Sequence, residues 1–133
     1  MVSEAQIDRR EVQLLQGAKN ILLEEGYSAL TMDRLAEATE CPKGTLYRRF
    51  ACKEDVILGV AIECLERRLC MFRRGAAYEG SSRARLLAVA EGGTLYARLS
   101  PSNTKLIHLA QGAVREKASP RRVGAIVAKE HEI

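Results

Sequence analysis

Apolar residues recur along this chain at three- and four-residue intervals, the spacing of one face of a helix; alternation at period two is never sustained, so no strand is predicted. A first helix is predicted from about Ile7 to Glu25, with Leu14, Leu15, Ala18, Ile21 and Leu22 on one face and Gly26 stopping it as a left-handed cap. Thr31 is placed to cap a short second helix, Asp33 sits in its favoured first turn, and Leu35, Ala36 and Ala38 form its inner face. Thr39-Glu40-Cys41-Pro42 reads as a turn, followed by a third short helix from about Lys43 to Arg49. A long helix then starts near Lys53 and runs to about Arg74. It is apolar nearly all round at Val56–Ile62 and narrows to a stripe through Leu65, Leu69 and Phe72, the pattern of a central helix.

Gly75 to Ser82 reads as a connection, and further helices follow from about Arg83 to Leu99, from Ser100-Pro101, and from Ser119-Pro120 with the serine as cap. Gly92-Gly93 falls inside the first of these, at a cost of about 1 kcal/mol per glycine, and argues against its continuity. The reading is therefore all-α: an N-terminal three-helix unit over residues 1–54 and a short helical C-terminal domain over 55–133.

Two short helices joined by a tight turn and laid on a longer first helix make a helix-turn-helix, whose second helix can enter a DNA major groove. Ala36 is small enough for a close crossing, and Leu35, Leu46 and Phe50 hold the angle. The exposed start of the third helix is then Lys43, Gly44 and Thr45, where lysine and threonine can donate to base edges and glycine lets the backbone approach. Tyr47, Arg48 and Arg49, one turn on, can reach phosphates or bases, and Lys53 opens a helix whose free N–H groups favour a phosphate.

Charge adds locality to this picture. The net charge is only +4, with twelve bases and twelve acids up to Arg74 and the surplus beyond it. Yet Cys41 to Lys53 carries Lys43, Arg48, Arg49 and Lys53 without one acid, a focused cationic patch. Apolar types make up 47% and charged types 29%, an ordinary globular balance. The longest apolar run, Val56 to Ile62, is too short to span a bilayer, and the opening residues lack the apolar core of an export signal, so a cytoplasmic protein with no membrane partner is expected. Cys41, Cys52, Cys64 and Cys70 show no C-x-x-C spacing; they read as reduced thiols, with no metal site and no cofactor. His108, on an apolar helix, reads as a core residue.

Gly26-Tyr27, Leu30-Thr31-Met32, Leu35-Ala36, Lys43-Gly44-Thr45-Leu46-Tyr47, Phe50 and Lys53-Glu54-Asp55 together resemble the DNA-binding domain of the tetracycline-repressor (TetR) family of bacterial transcriptional regulators. The likeness runs over about residues 8–60 in one register. It implies DNA contacts at Thr31, Lys43, Gly44, Thr45, Tyr47, Arg49 and Lys53, a palindromic double-stranded operator, a homodimer and a small-molecule effector. Three positions depart from the family pattern: Glu40 replaces the turn glycine, Pro42 the polar cap before the third helix, and Cys52 the polar cap of the fourth. The family's usual C-terminal domain is also longer than the stretch ending at Ile133, which leaves two outcomes. Either the last helices pair across subunits through Val123, Ile126 and Val127, which is the expectation, or the form is a shortened one with weakened dimerisation and little effector response.

The expected function is thus a sequence-specific regulator, most simply a repressor, that places its third helix in the operator groove. The alternative is a helical protein–protein module that pairs with a full-length regulator. An enzyme is not expected: the chain has no phosphate loop, no G-x-S-x-G and two distant histidines.

Overall fold

The computed structural model describes residues 4–132, all of whose regular elements are helical. In chain order these are α1 (Glu4–Glu24), a 3-10 turn at Tyr27–Ala29, α2 (Met32–Ala38), α3 (Lys43–Arg49), α4 (Lys53–Ala76), α5 (Ser82–Leu99), α6 (Pro101–Leu109), α7 (Ala113–Lys117) and α8 (Pro120–His131). The export-signal reading rests partly on Met1 to Ser3, which lie outside the described residues. No described helix is long and apolar enough to cross a membrane.

The N-terminal elements form where the polar punctuation puts them. α1 ends as Glu25 and Gly26 both donate to the Ile21 carbonyl, and Gly26 takes φ 94°, ψ 175°, a region that only glycine visits easily. Thr31 caps α2, its Oγ1 accepting the Arg34 N–H at 3.0 Å. Glu40 adopts φ 51° in the α2–α3 turn and is held there as the Cys41 N–H reaches the Ala36 carbonyl at 3.0 Å. Leu14, Leu30, Leu35, Leu46 and Phe50 close completely over one another, which fixes how α2 and α3 lie on α1.

α4 is central, touching α1 and α5 to α8. Its first turns are buried all round, as their apolar run requires. Its far end meets α5 differently. A β-carbon on Gly75 would stand 2.7 Å from the Ala88 backbone, and one on Gly93 2.6 Å from the Phe72 ring. Gly75 therefore belongs inside α4 instead of opening the connection, and α5 runs unbroken through Gly92-Gly93. The propensity cost of these glycines is set against contacts that a side chain would block, with the Ala88 backbone at Gly75 and the Phe72 ring at Gly93.

The C-terminal half departs from expectation in three further ways. α7, a five-residue helix opened by Gly112 at φ 58°, had no periodic signal. His108 is exposed, not core. Ile126 is fully buried, with Val123 and Val127 packed beside it on the chain's own core, so α8 does not offer these side chains to a partner. The apolar surface left open lies on α5, where Leu86, Leu87, Leu95 and Leu99 are exposed.

Candidate nucleic-acid interface

Leu46 is the one residue of α3 that is fully buried, and it anchors the helix by a single point. Lys43, Gly44, Tyr47 and Arg48 consequently face outward, with Thr45 and Arg49 half-buried. Nothing lies within 4 Å of the position a Gly44 β-carbon would take, so the backbone is bare at the exposed start of the helix. Pro42 supplies the first α3 acceptor through its carbonyl, bonded by the Leu46 N–H at 3.0 Å, but no side-chain cap.

Thr31, Tyr47 and Lys53 come from three elements and converge on one groove of about 360 Å³, floored by Met32, Ala51 and Cys52. Tyr47 is half exposed at its edge. The Lys53 ammonium lies 3.9 Å from the centre of the Tyr27 ring and 3.5 Å from the Tyr27 carbonyl oxygen, which aims it along the rim. Burial, reinforced by the nearby Glu54 carboxylate, pushes the Tyr27 phenol above its ordinary pKa. Lys43 pairs with Asp33 at 2.9 Å on the open surface; that hydrogen bond, helped by the charge, raises the lysine pKa and keeps it cationic. An ion pair this exposed is easily exchanged for another anion.

Arg49 stands apart from the other sequence-predicted residues. Its guanidinium is turned toward α1, 3.8 Å from Glu11 Oε2, and its side chain is largely covered. Arg48, next to it, is exposed.

The turn from α3 into α4 is held by residues that local spacing does not reveal. Cys52, at the cap position, makes no capping bond; the buried Asp55 takes over, accepting the Ala51 N–H at 3.3 Å. Asp55 also accepts the Ser119 N–H at 2.7 Å and the Ser119 hydroxyl at 2.9 Å. Ser119 therefore does not cap α8 with its side chain, as its Ser-Pro signature suggested, but ties the start of α8 to the start of α4. Arg122 donates to the Arg49 carbonyl at 2.8 Å and lies over the Phe50 ring at 4.6 Å. Desolvation raises the Cys52 thiol above its ordinary pKa, which favours its protonated form beside this turn.

Residues 14–60 match the family model described as bacterial regulatory proteins, tetR family. The match runs from within α1 to the first turns of α4, and over that stretch the chain is similar to the tetR family. The HTH-type transcriptional repressor AcnR of Corynebacterium diphtheriae is 32% identical over 63 residues, 47% of this chain and 33% of that protein. The HTH-type transcriptional regulator UidR of Escherichia coli K12 is 33% identical over 73 residues, 55% of this chain and 36% of that protein. The chain thus matches about a third of the length of these relatives. Among solved structures, the TetR family transcriptional regulator PfmR from Thermus thermophilus aligns over 99% of this chain and 65% of its own, with a TM-score of 0.67 and 19% identity. A TetR family regulator from Marinobacter aquaeolei VT8 aligns over 98% and 71%, with a TM-score of 0.68 and 12% identity. At these identities the likeness is one of fold, and it covers α5–α8 as well as the N-terminal helices.

Proposed function

We propose that this protein is a DNA-binding transcriptional regulator, acting as a repressor, that docks α3 in the major groove of a double-stranded operator. The observation that carries the reading is the convergence of Thr31, Tyr47 and Lys53 on one groove beside an α3 whose start is bare at Gly44. In this arrangement Thr31, Tyr47 and Lys53 hold backbone phosphates and set the register. Lys43, Thr45 and the Gly44 backbone read base edges, and Arg48 adds a phosphate contact. Arg49 joins the set by exchanging Glu11 for a phosphate. Residues 1–54 serve as the reading unit and 55–133 as its carrier, within the cytoplasm.

One reading helix covers one half-site, so two copies are called for, spaced by about 34–36 Å of duplex. The exposed α5 leucines are the surface proposed to join them. A small effector would sit in the open groove of about 600 Å³ lined by Met71, Leu87 and Leu95, which a second copy would roof over.

Selection of duplexes from a random pool, followed by salt titration, tests the proposal. Lys43→Ala is expected to relax one base position by about ten- to a hundredfold. Lys53→Ala is expected to weaken all sequences alike and lower the salt slope by about one ion. Failure to select any sequence, or two variants indistinguishable from the parent, removes the proposed docking.

A further inference from the structure

The groove on which Thr31, Tyr47 and Lys53 converge is floored in part by the α3–α4 turn, and that turn lacks a cap of its own. Cys52 stands at the cap position of α4 and makes no capping bond. The hold comes instead from the far end of the chain. Asp55, buried in the first turn of α4, accepts the Ala51 N–H at 3.3 Å and the Ser119 hydroxyl at 2.9 Å on Oδ2, and the Ser119 N–H at 2.7 Å on Oδ1. One carboxylate thus joins the turn to the start of α8. A second link runs from the Cys52 thiol, which donates to the Lys117 carbonyl with sulfur and oxygen 3.7 Å apart. Both links reach the junction of α7 and α8.

The two links differ in strength. A thiol is a weak donor, so the Cys52 link adds little. The bonds to Asp55 are charge-assisted and buried, and they carry the hold. The Ala51 N–H and the Ser119 hydroxyl share Oδ2, so the hydroxyl fixes the oxygen on which the turn rests. Without it the carboxylate keeps the Ser119 N–H but can rotate, and the turn loses its fixed point. Lys53 follows directly on this turn, and its ammonium, set between the Tyr27 ring and carbonyl, is aimed only as well as its backbone is placed. A groove fixed in advance spends less ordering on a bound phosphate than a loose one does. We infer that Ser119, acting through Asp55, is a positioning residue for the phosphate-holding groove: it fixes the turn that carries Lys53 and leaves base reading at the start of α3 alone. This rests on the DNA-reading function proposed above, and it gives the α7–α8 junction a part in binding at a distance.

The full chain is titrated with a mixed-sequence duplex, on which phosphate contacts act without base reading. Ser119→Ala is expected to weaken binding about three- to tenfold, part of the worth of a hydrogen bond to a carboxylate, and to lower the salt slope by up to about one ion. Ser119→Thr, which keeps the hydroxyl, is expected to restore binding. Two backgrounds separate positioning from bracing of the whole fold. In Lys53→Ala the contact that Ser119 positions is already gone, so Ser119→Ala costs little more; in Lys43→Ala it costs its full factor. Equal losses in the two backgrounds, or full binding by Ser119→Ala, overturn the inference. Amide exchange without DNA supplies the second readout. Ser119→Ala should speed exchange at Ala51, whose N–H bonds Asp55, and leave Leu35, bonded to the Thr31 carbonyl, unchanged. If the parent binds no duplex, the DNA reading falls, while faster exchange confined to Ala51 still supports the hold of Ser119 on the turn. Unchanged exchange at Ala51, or equal acceleration at both amides, overturns it.

Discussion

The two ends of α4 are held in opposite ways. Near Lys53 the helix is wedged by bulk: Leu14, Leu35, Leu46, Phe50 and Leu58 leave no accessible surface, and the residues outside them are charged. Near Ala76 it is held by the removal of bulk, at Gly75 and Gly93, and its partner α5 buries Tyr96 alone. α5 meanwhile leaves Leu86 at 70% and Leu99 at 72% exposure. The first end behaves as a finished unit, sealed apart from a polar outer face. The second is a seam that fits one backbone against another and leaves its outer side for something else. Close packing can therefore coexist with an unfinished surface, and the two must be tested separately.

The largest effect should come from filling the seam. Gly75→Ala forces a β-carbon onto the Ala88 backbone and should cost about 1–3 kcal/mol, read by chemical denaturation. Gly44→Ala, with nothing in its way, should instead gain about 0.5–1 kcal/mol from its helical position while impairing the approach to DNA. Equal effects would erase the distinction between a seam and an open face.

Tyr96 sharpens the comparison at the next level. Its hydroxyl donates to the Cys64 carbonyl at 2.8 Å, and burial pushes its pKa above the ordinary value near 10, partly offset by a hydrogen bond from Asn103. The neutral phenol is the form the fold favours, so its contribution is complete below the unfolded pKa and is lost as pH rises through the folded one. Tyr96→Phe should cost about 0.5–1.5 kcal/mol at neutral pH and flatten the loss of stability above pH ~10. An alkaline unfolding curve that does not change on this substitution would place the α4–α5 hold elsewhere.

The smallest change in stability should be on the outside of α5. Leu86→Lys with Leu99→Lys should stay within about 0.5 kcal/mol of the parent, as exposed sites do. Sedimentation at micromolar concentration should nonetheless shift from a two-copy species to one. If the assembly is untouched, the α5 leucines are not the joint.

These differences also explain what the sequence made legible. α1 to α4 announce themselves because their signals are local: the capping threonine at Thr31, the glycine at Gly26, and Glu40 in the position where a left-handed turn is needed. Thr31, Lys43, Tyr47 and Lys53 stand on this local frame. α5 misleads because its glycines count against a helix in isolation and are explained only by a partner helix. α7 is too short to show a period. The links from Asp55 to Ser119 and from Arg49 to Arg122 span 64 and 73 residues, and no spacing rule reaches that far. Val123, Ile126 and Val127 were readable as an apolar face, but not as one facing inward.

Glu40 has a consequence of another kind. An L-residue at φ 51° resists its own conformation by about 1 kcal/mol or more, so the bend between α2 and α3 is not one its own residue prefers. Leu35, Leu46 and Phe50 impose it from below, and the turn sits under a constant load. Loosening of that floor would let the bend relax first at this residue. The angle between the two short helices is therefore a property of the ground beneath them, and it lasts only as long as that ground is firm.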